Sequence, residues 1–194
     1  MITGEASEST ALTADFVTYT ADIETSNIEW IGARPASQHN GIVGLKDGHL
    51  KIINGEIAGG EFVIDLENIV ILDITDPVRN ARLKRHLESD DFFDVPNHPV
   101  AVFEITGVSK KDNPDNESIH EITGNLLMRG INRSITFDAS VEITEEQINA
   151  RSVQFLIDRT EWGVNYQSKT VFANIVDNFI LDELALVINL KAYK

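Results

Sequence analysis

The feature that most constrains the fold of this chain is a series of short segments in which apolar and polar residues alternate. In RSITFDASVEI, the clearest of them, Ile135, Phe137, Ala139 and Val141 share one face. A period of two residues is that of a β-strand with one buried face. About eight or more such segments follow at fairly regular spacing, with little helix between them. The pattern therefore predicts an all-β fold, either an antiparallel barrel or a sandwich.

Three further segments show the same alternation. Their candidate inward residues are Phe62, Ile64 and Leu66, then Ala101, Phe103 and Ile105, and then Val153, Phe155 and Ile157. The segment DGHLKIING begins on Asp47-Gly48 and ends on Asn54-Gly55. Both pairs are among the better short-range turn signals, so they predict a turn on each side of that strand.

One helix is predicted through PVRNARLKRHL, ending near Glu88. Asp76 can cap its N-terminus, and Pro77 suits the first turn because a missing N–H costs nothing there. The segment TEEQINA, with Thr144 as its cap, is a second helix candidate.

The length of 194 residues fits a single domain. The opening segment MITGEASESTALTAD is rich in Ser, Thr, Ala and Glu and has no apolar period, and no Lys or Arg precedes Arg34. We therefore predict a flexible acidic leader over residues 1–16 and one domain over residues 17–194.

The formal net charge of −15 opposes binding to nucleic acid phosphates and to anionic membrane surfaces. No uncharged apolar run reaches the roughly 18 residues of a membrane span, so no stable membrane insertion is expected. The chain has no cysteine, which excludes disulfides and cysteine-based metal or redox chemistry.

Motifs for catalysis or metal binding are absent from the sequence. The densest group of ligand-type residues is His86, Glu88, Asp90, Asp91, Asp94 and His98, and its spacing fits neither HExxH nor an EF-hand. We interpret this group as a solvated loop after the helix and predict no metal site. No Gly-x-Ser-x-Gly elbow occurs, so we predict no catalytic residue and no enzymatic activity. A small-molecule enzyme that uses a barrel pocket stays an alternative.

Phenylalanines form the more informative group, because most fall on inward positions of their strands. They are Phe62, Phe92, Phe93, Phe103, Phe137, Phe155 and Phe172. An eight-stranded barrel is near the size at which the interior is either packed solid or holds one small ligand. The pattern alone does not choose between these two.

The basic group Arg79, Arg82, Lys84 and Arg85 is interpreted as a solvated helix face that balances nearby acids. Arg85 or Arg159 is a candidate contact for an anionic or polar headgroup. Trp162, which follows Arg159 and Glu161, more often closes a core than stacks on a ligand.

Several spaced motifs resemble those of the YceI-like family. The stretch HLESDDFFDVPNHPVAVFEI is similar to the central motif of the family, in which His-Leu-x-Ser-x-Asp-Phe-Phe-Asp precedes a Pro and a Phe-bearing strand. The segments EWIGARPASQHNGIVG and GGEFVIDLENI resemble the opening strands, and ITGNLLMRGINRSITFDA resembles a later hairpin. The segment FLIDRTEWGVNYQSKTVFANIVDNFILDELALVINLKA resembles the closing strands, and the whole resemblance covers roughly residues 17 to 193.

The resemblance implies a lipocalin-like antiparallel β-barrel that encloses an elongated apolar tunnel. Such barrels bind polyisoprenoids, isoprenoid quinones or similar amphiphilic lipids and carry or sequester them without catalysis. The expected partner is therefore an amphiphilic lipid or isoprenoid, bound by a monomer or a homodimer, with no other cofactor and no nucleic acid. An interaction module with a solid core stays an alternative.

Members of the family are often exported to the periplasm through a signal peptide. This chain has no basic start followed by an apolar core. We expect a periplasmic or secreted protein whose signal peptide has been removed, with a cytoplasmic location as the alternative.

The residues expected to line the tunnel are Phe62, Ile64, Leu87, Phe92, Phe93, Phe103, Ile105, Ile135, Phe137, Phe155, Ile157, Trp162 and Phe172. Phe92 and Phe93 pose a particular question, because two adjacent aromatic residues lie among four carboxylates. We expect both rings, with Leu87 one turn before them, to pack at the tunnel wall or mouth where the helix meets the barrel. The acids would then face solvent.

Overall fold

A computed structural model of the chain describes residues 3–8, 14–111, 119–172, 174, 177 and 179–194. The strands within these residues are β1 (Thr3–Glu5), β2 (Val17–Ala21), β3 (Asn27–Arg34), β4 (Ser37–Ile53), β5 (Glu56–Asp65), β6 (Val70–Ile71), β7 (Val100–Lys111), β8 (Ile119–Met128), β9 (Ile131–Ile143), β10 (Gln147–Ser152), β11 (Phe155–Asp158) and β12 (Glu183–Tyr193). Helix α1 spans Pro77–Glu88, and short 3₁₀ turns occupy Leu66–Asn68 and Arg159–Trp162.

The strands form one antiparallel sheet that closes on itself. From β9 the ladder runs through β10, β12, β2, β4, β5, β7 and β8, and β8 pairs again with β9. Strand β3 continues the line of β2 between β12 and β4, and β11 continues the line of β10 beside β12. The predicted all-β antiparallel barrel is therefore confirmed.

Alternation along the strands places the predicted apolar residues inside the barrel. Phe62, Phe103, Ile135 and Phe137 are all buried. Val153 is an exception, because 58% of it is exposed. It lies between β10 and β11, and this break in the strand resets the alternation, so the inward prediction for Val153 is wrong.

The two predicted turns have different outcomes. Asn54-Gly55 forms the β4–β5 hairpin turn with φ angles of 52° and 81°, as a type I′ turn requires. Asp47-Gly48 is not a turn, because β4 continues through it and shifts its register against β5 between Leu45 and Asp47. Gly48 is needed there for close packing, since an added Cβ would lie 2.6 Å from Cδ1 of Phe62.

Helix α1 is the helix that the sequence predicted. The Asp76 side chain accepts a hydrogen bond of 2.8 Å from the Arg79 backbone N–H, and Pro77 is the first helical residue. The helix ends at Glu88. The cap, the first turn and the end of the helix are thus confirmed.

The second predicted helix, TEEQINA, is wrong. Thr144 lies in a turn in which its hydroxyl accepts from the Gln147 backbone N–H at 3.0 Å, and the chain continues as β10. Strand β10 pairs with both β9 and β12, which satisfies its backbone groups on both sides. A helix this short is marginal by itself, whereas the strand buries Ile148 completely.

Part of the expected leader forms regular structure. Strand β1 pairs with β9 from Thr3 opposite Ile135 to Glu5 opposite Arg133. Asn125 on β8 bonds both the N–H and the C=O of Ser7, at 2.9 and 2.7 Å. Residues 1–2 and 9–13 lie outside the described part of the chain, and the domain boundary after residue 16 stays a prediction.

Close approach between Phe103 and Gly124 makes that glycine hard to replace. An added Cβ at Gly124 would lie 2.4 Å from Cζ of Phe103 and 2.5 Å from the Glu104 carbonyl oxygen. We expect Gly124→Ala to lower the free energy of unfolding by about 1–3 kcal/mol in urea titrations, because overpacking shifts side chains and backbone. Gly44→Ala is the matched control, since nothing lies within 4 Å of its added Cβ. Equal unfolding midpoints for the two variants would contradict this account.

Candidate binding cavity

An inner chamber of about 110 Å³ lies within the barrel. The predicted site residues in its wall are Phe62, Ile64, Phe103, Ile105, Ile135, Phe137 and Phe155. Phe62 and Phe103 face each other across the β5–β7 ladder. The ring of Phe137 lies 5.7 Å from that of Phe103 and 4.6 Å from that of Phe155, between centroids. Aromatic side chains thus form a continuous arc across β7, β9 and β11.

Tyr19 joins two sides of the barrel at the end away from α1. It is buried on β2, and its hydroxyl reaches the carbonyl oxygens of Thr144 and Glu145 in the β9–β10 turn, at 2.9 and 3.1 Å. This contact joins β2 to the β9–β10 turn.

An outer chamber of about 130 Å³ lies between the barrel and the C-terminal end of α1. Leu87, Phe92 and Phe93 form part of its wall. The Phe93 backbone N–H donates to the Leu87 carbonyl at 3.0 Å, which turns the chain back on the helix. Asp90 and Asp91 stay exposed. The two aromatic residues therefore face an apolar chamber while Asp90 and Asp91 face solvent, and the other two acids, Glu88 and Asp94, are half-buried.

Five residues in the wall of the outer chamber, some of them exposed, are called the rim: Phe92, Phe93, Ile180, Leu181 and Glu183. Leu181 is 37% exposed and Glu183 is exposed. This rim is the place where a ligand could keep a polar end in water while an apolar end enters the barrel.

Four aliphatic side chains line both chambers, and we call them the aliphatic ring: Ile28, Ile64, Leu126 and Leu186. They come from β3, β5, β8 and β12, which are spread around the barrel. The two chambers are therefore adjacent compartments of one apolar interior, and the aliphatic ring lies between them.

Arg159 lines the outer chamber, but its donors are already engaged. Its guanidinium donates to the carbonyl oxygens of Val164, Ile180 and Leu181 and forms an ion pair with Asp182 at 3.2 Å. Burial lowers the pKa of the Arg159 guanidinium from its usual value, and the carboxylates of Asp182 and Asp158 act in the opposite direction. The geometry is that of a side chain that anchors residues 180–182.

The structure divides the predicted site residues into three groups. The first group lines the inner chamber, as given above. The second group lines the outer chamber: Leu87, Phe92, Phe93, Ile157 and Arg159, together with Ile64, which lines both chambers. Trp162, Phe172 and Arg85 line neither chamber among the described residues. Trp162 is fully buried with its indole N–H on the Leu126 carbonyl at 3.0 Å, Phe172 is 50% exposed, and Arg85 is exposed on α1. Ligand contact by any of these residues stays a prediction.

Sequence reasoning missed the contribution of β12. Its inward residues Leu184, Leu186, Ile188 and Leu190 all line one chamber or both. Large aliphatic residues at every second position of LALVINL were a usable signal. The difference in hydropathy between inward and outward positions was weak, because the outward positions include the apolar residues Ala185 and Val187.

Titratable side chains near the helix form separate pairs. His86 Nε2 lies 3.1 Å from an Asp91 carboxylate oxygen, and His39 Nδ1 lies 2.7 Å from one of Asp73. Within the described ranges, no group of three or more His, Cys, Asp and Glu residues could hold a metal ion. In the same part of the chain, no helix has the length and hydropathy that a membrane crossing needs.

The model of the YceI-like domain family matches residues 19–192 of this chain. The chain belongs to this family. A UPF0312 protein of Pectobacterium carotovorum is 35% identical over 77 residues, which are 40% of this chain and 38% of the relative. The match to that relative thus spans well under half of its length.

Solved structures share the fold across nearly the whole chain. Burkholderia cenocepacia BcnA superposes with a TM-score of 0.66 at 17% identity, covering 89% of this chain and 99% of BcnA. A Saccharophagus degradans domain described as polyisoprenoid-binding and implicated in plant cell wall breakdown gives 0.63 at 16% identity, covering 90% and 97%. These likenesses support the lipocalin-like barrel.

Removal of the Arg159 guanidinium should destabilise the protein. Arg159→Met would leave the carboxylate of Asp182 and three carbonyls without their donor, which typically costs about 3–5 kcal/mol for a buried ion pair. Arg133→Met is the matched control, because Arg133 forms an ion pair with Glu161 at 3.3 Å with side chains that are 36% and 45% exposed. Ion pairs in contact with solvent contribute about 0–1 kcal/mol. Urea unfolding of both variants measures the difference. Equal midpoints would contradict the anchoring role of Arg159.

Proposed function

We propose that this protein binds a polyisoprenoid, an isoprenoid quinone or a similar amphiphilic lipid and carries or sequesters it without catalysis. The observation that carries the proposal is the pair of adjacent apolar chambers inside the barrel, the outer of which has exposed residues in its wall. Membership of the YceI-like family supports it, as does the likeness in fold to a domain described as polyisoprenoid-binding.

Burial of an apolar tail supplies most of the affinity in this proposal. Each buried CH₂ contributes roughly 0.8 kcal/mol, so one isoprene unit supplies about 3 kcal/mol before the cost of ordering the tail. A hydrogen bond to the headgroup adds only about 1 kcal/mol net. The tail therefore sets the affinity and the head sets the orientation, with the head at the rim.

Charges around the outer chamber favour an uncharged polar head. Of the described residues that line this chamber, Arg159 is the one cation, and Asp182 and three carbonyls already engage it. Glu183 places a carboxylate at the rim. A diphosphate head would meet this carboxylate without a free cation, whereas a quinone or an alcohol would not be repelled.

The proposal includes a periplasmic or secreted location. The resemblance to exported members supports this location, and a carrier has a clear use there because an isoprenoid tail crosses an aqueous compartment poorly without cover. The family resemblance also favours binding over catalysis.

Native mass spectrometry of protein purified without detergent, followed by organic extraction, tests the proposal. We expect a co-purified species of several hundred daltons that is released only by solvent, because the tail is enclosed. Protein that is empty and takes up neither long-chain isoprenoids nor quinones would favour an interaction module with a solid core. Chemical conversion of the bound species on incubation would favour the enzyme alternative.

Phe137→Trp should shorten the tail that the barrel prefers. Phe137 lines the inner chamber between Phe103 and Phe155, so a larger ring there removes space from the inner chamber. Competition binding with prenols of graded length measures the preference. Phe172→Trp is the matched control, because Phe172 is 50% exposed and lines neither chamber of the described structure. An unchanged preference in Phe137→Trp would remove the inner chamber from the binding site.

A further inference from the structure

The aliphatic ring lies where the two chambers of the barrel interior adjoin. Ile28, Ile64, Leu126 and Leu186 belong to the wall of both chambers, and each comes from a different strand. Ile28 and Leu126 are buried, while Ile64 and Leu186 are only half-buried. Ile64 on β5 and Leu186 on β12 therefore keep some accessible surface while they line both chambers.

The two chambers on either side of the ring are of similar size, about 110 and 130 Å³. A short apolar tail that enters at the rim fills the outer chamber and leaves the ring in place. A longer tail has to turn the side chains of the ring aside before it reaches the aromatic arc of the inner chamber. Close-packed interiors resist such displacement, although aliphatic side chains without polar partners can change rotamer.

We propose that the aliphatic ring is a length threshold, with Ile64 and Leu186 as the residues that determine it. The inference rests on the proposed function, since it concerns which isoprenoid tails the barrel accepts. Affinity rises with each isoprene unit while the tail fills the outer chamber. It then stops rising for the unit that must displace the ring, and rises again once the tail gains contacts with Phe103 and Phe137. Without the ring, each added isoprene unit would contribute equally to the binding free energy until the tail reaches the far end of the inner chamber.

Leu186→Ala and Ile64→Ala open the passage, and Leu186→Phe narrows it. Leu156→Ala is the matched control, because Leu156 on β11 is 44% exposed and lies outside both chambers in the described structure. The probes are geraniol, farnesol, geranylgeraniol and longer homologues, each added to delipidated full-length protein. Tryptophan fluorescence or calorimetry gives Kd for each prenol.

We expect the wild-type protein and Leu156→Ala to show the interruption in the series of Kd values. In Leu186→Ala and Ile64→Ala the interruption disappears, and Kd for the longer prenols falls by about tenfold. The reason is that a longer tail no longer has to displace a packed side chain. Kd for the shortest prenol does not fall in these variants, because Ile64 and Leu186 also line the outer chamber that this prenol fills. Leu186→Phe raises Kd for the longer prenols by about tenfold and leaves the shortest prenol unaffected.

A smooth series in the wild-type protein, unchanged in both opening variants, overturns the length threshold while the proposed function stands. A wild-type protein that binds no prenol and no quinone overturns both. Thermal melting identifies variants that do not fold. If Leu186→Phe is one of them, the Kd values of Leu186→Ala and Ile64→Ala test the length threshold without it.

Discussion

Closure of the antiparallel ladder is the constraint on which the rest of this structure depends. Because β8 and β10 both pair with β9, the eight main strands form a closed circuit, and among the described strands only the short β1, β6 and β11 pair on one side. Successive residues must point into the barrel or out of it, so the inward residues of every strand meet in one interior. At this number of strands the interior is near the limit between a filled core and a small container. Modest differences in side-chain placement decide which of the two results.

Glycines on the barrel wall help to make this barrel a container. Added Cβ atoms at Gly48 and Gly124 would lie within 2.6 Å of the rings of Phe62 and Phe103, respectively. Each ring therefore lies against the backbone of the neighbouring strand and occupies space along the wall. A ring that projected across the axis would fill the centre instead. The aromatic residues thus make the interior apolar without closing it.

Sequence alone predicted much of the fold for clear physical reasons. Strict alternation in β9 and the cap at Asp76 are local signals, and the sheet and the helix both follow them. TEEQINA and Asp47-Gly48 carried equally local signals, but pairing on both sides of β10 and the packing of Phe62 on Gly48 overrode them. Local pattern fails where the neighbouring strand supplies the larger part of the free energy.

The candidate site was less predictable, because it depends on register. The aliphatic ring brings together residues from Ile28 to Leu186, and only the pairing of the strands brings them to the boundary between the two chambers. The side chain of Trp162 faces β8 instead of a chamber because its indole N–H bonds the Leu126 carbonyl. No sequence period encodes such a choice between two apolar surroundings.

Two arginines shape the rim of the outer chamber. Arg159 holds one side through the carbonyls of Ile180 and Leu181, and Arg129 holds the other through the carbonyls of Asp90 and Phe92. Hydrogen bonds from a charged donor are stronger than neutral ones, so they suit irregular backbone that lacks a ladder partner.

The same contacts engage the guanidinium groups of Arg159 and Arg129, in a chain whose net charge is −15. Both groups therefore fix the chain around the outer chamber. In the proposed function, selection among ligands then falls to the apolar surfaces behind the rim, where the length and the shape of the tail matter more than the charge of the head.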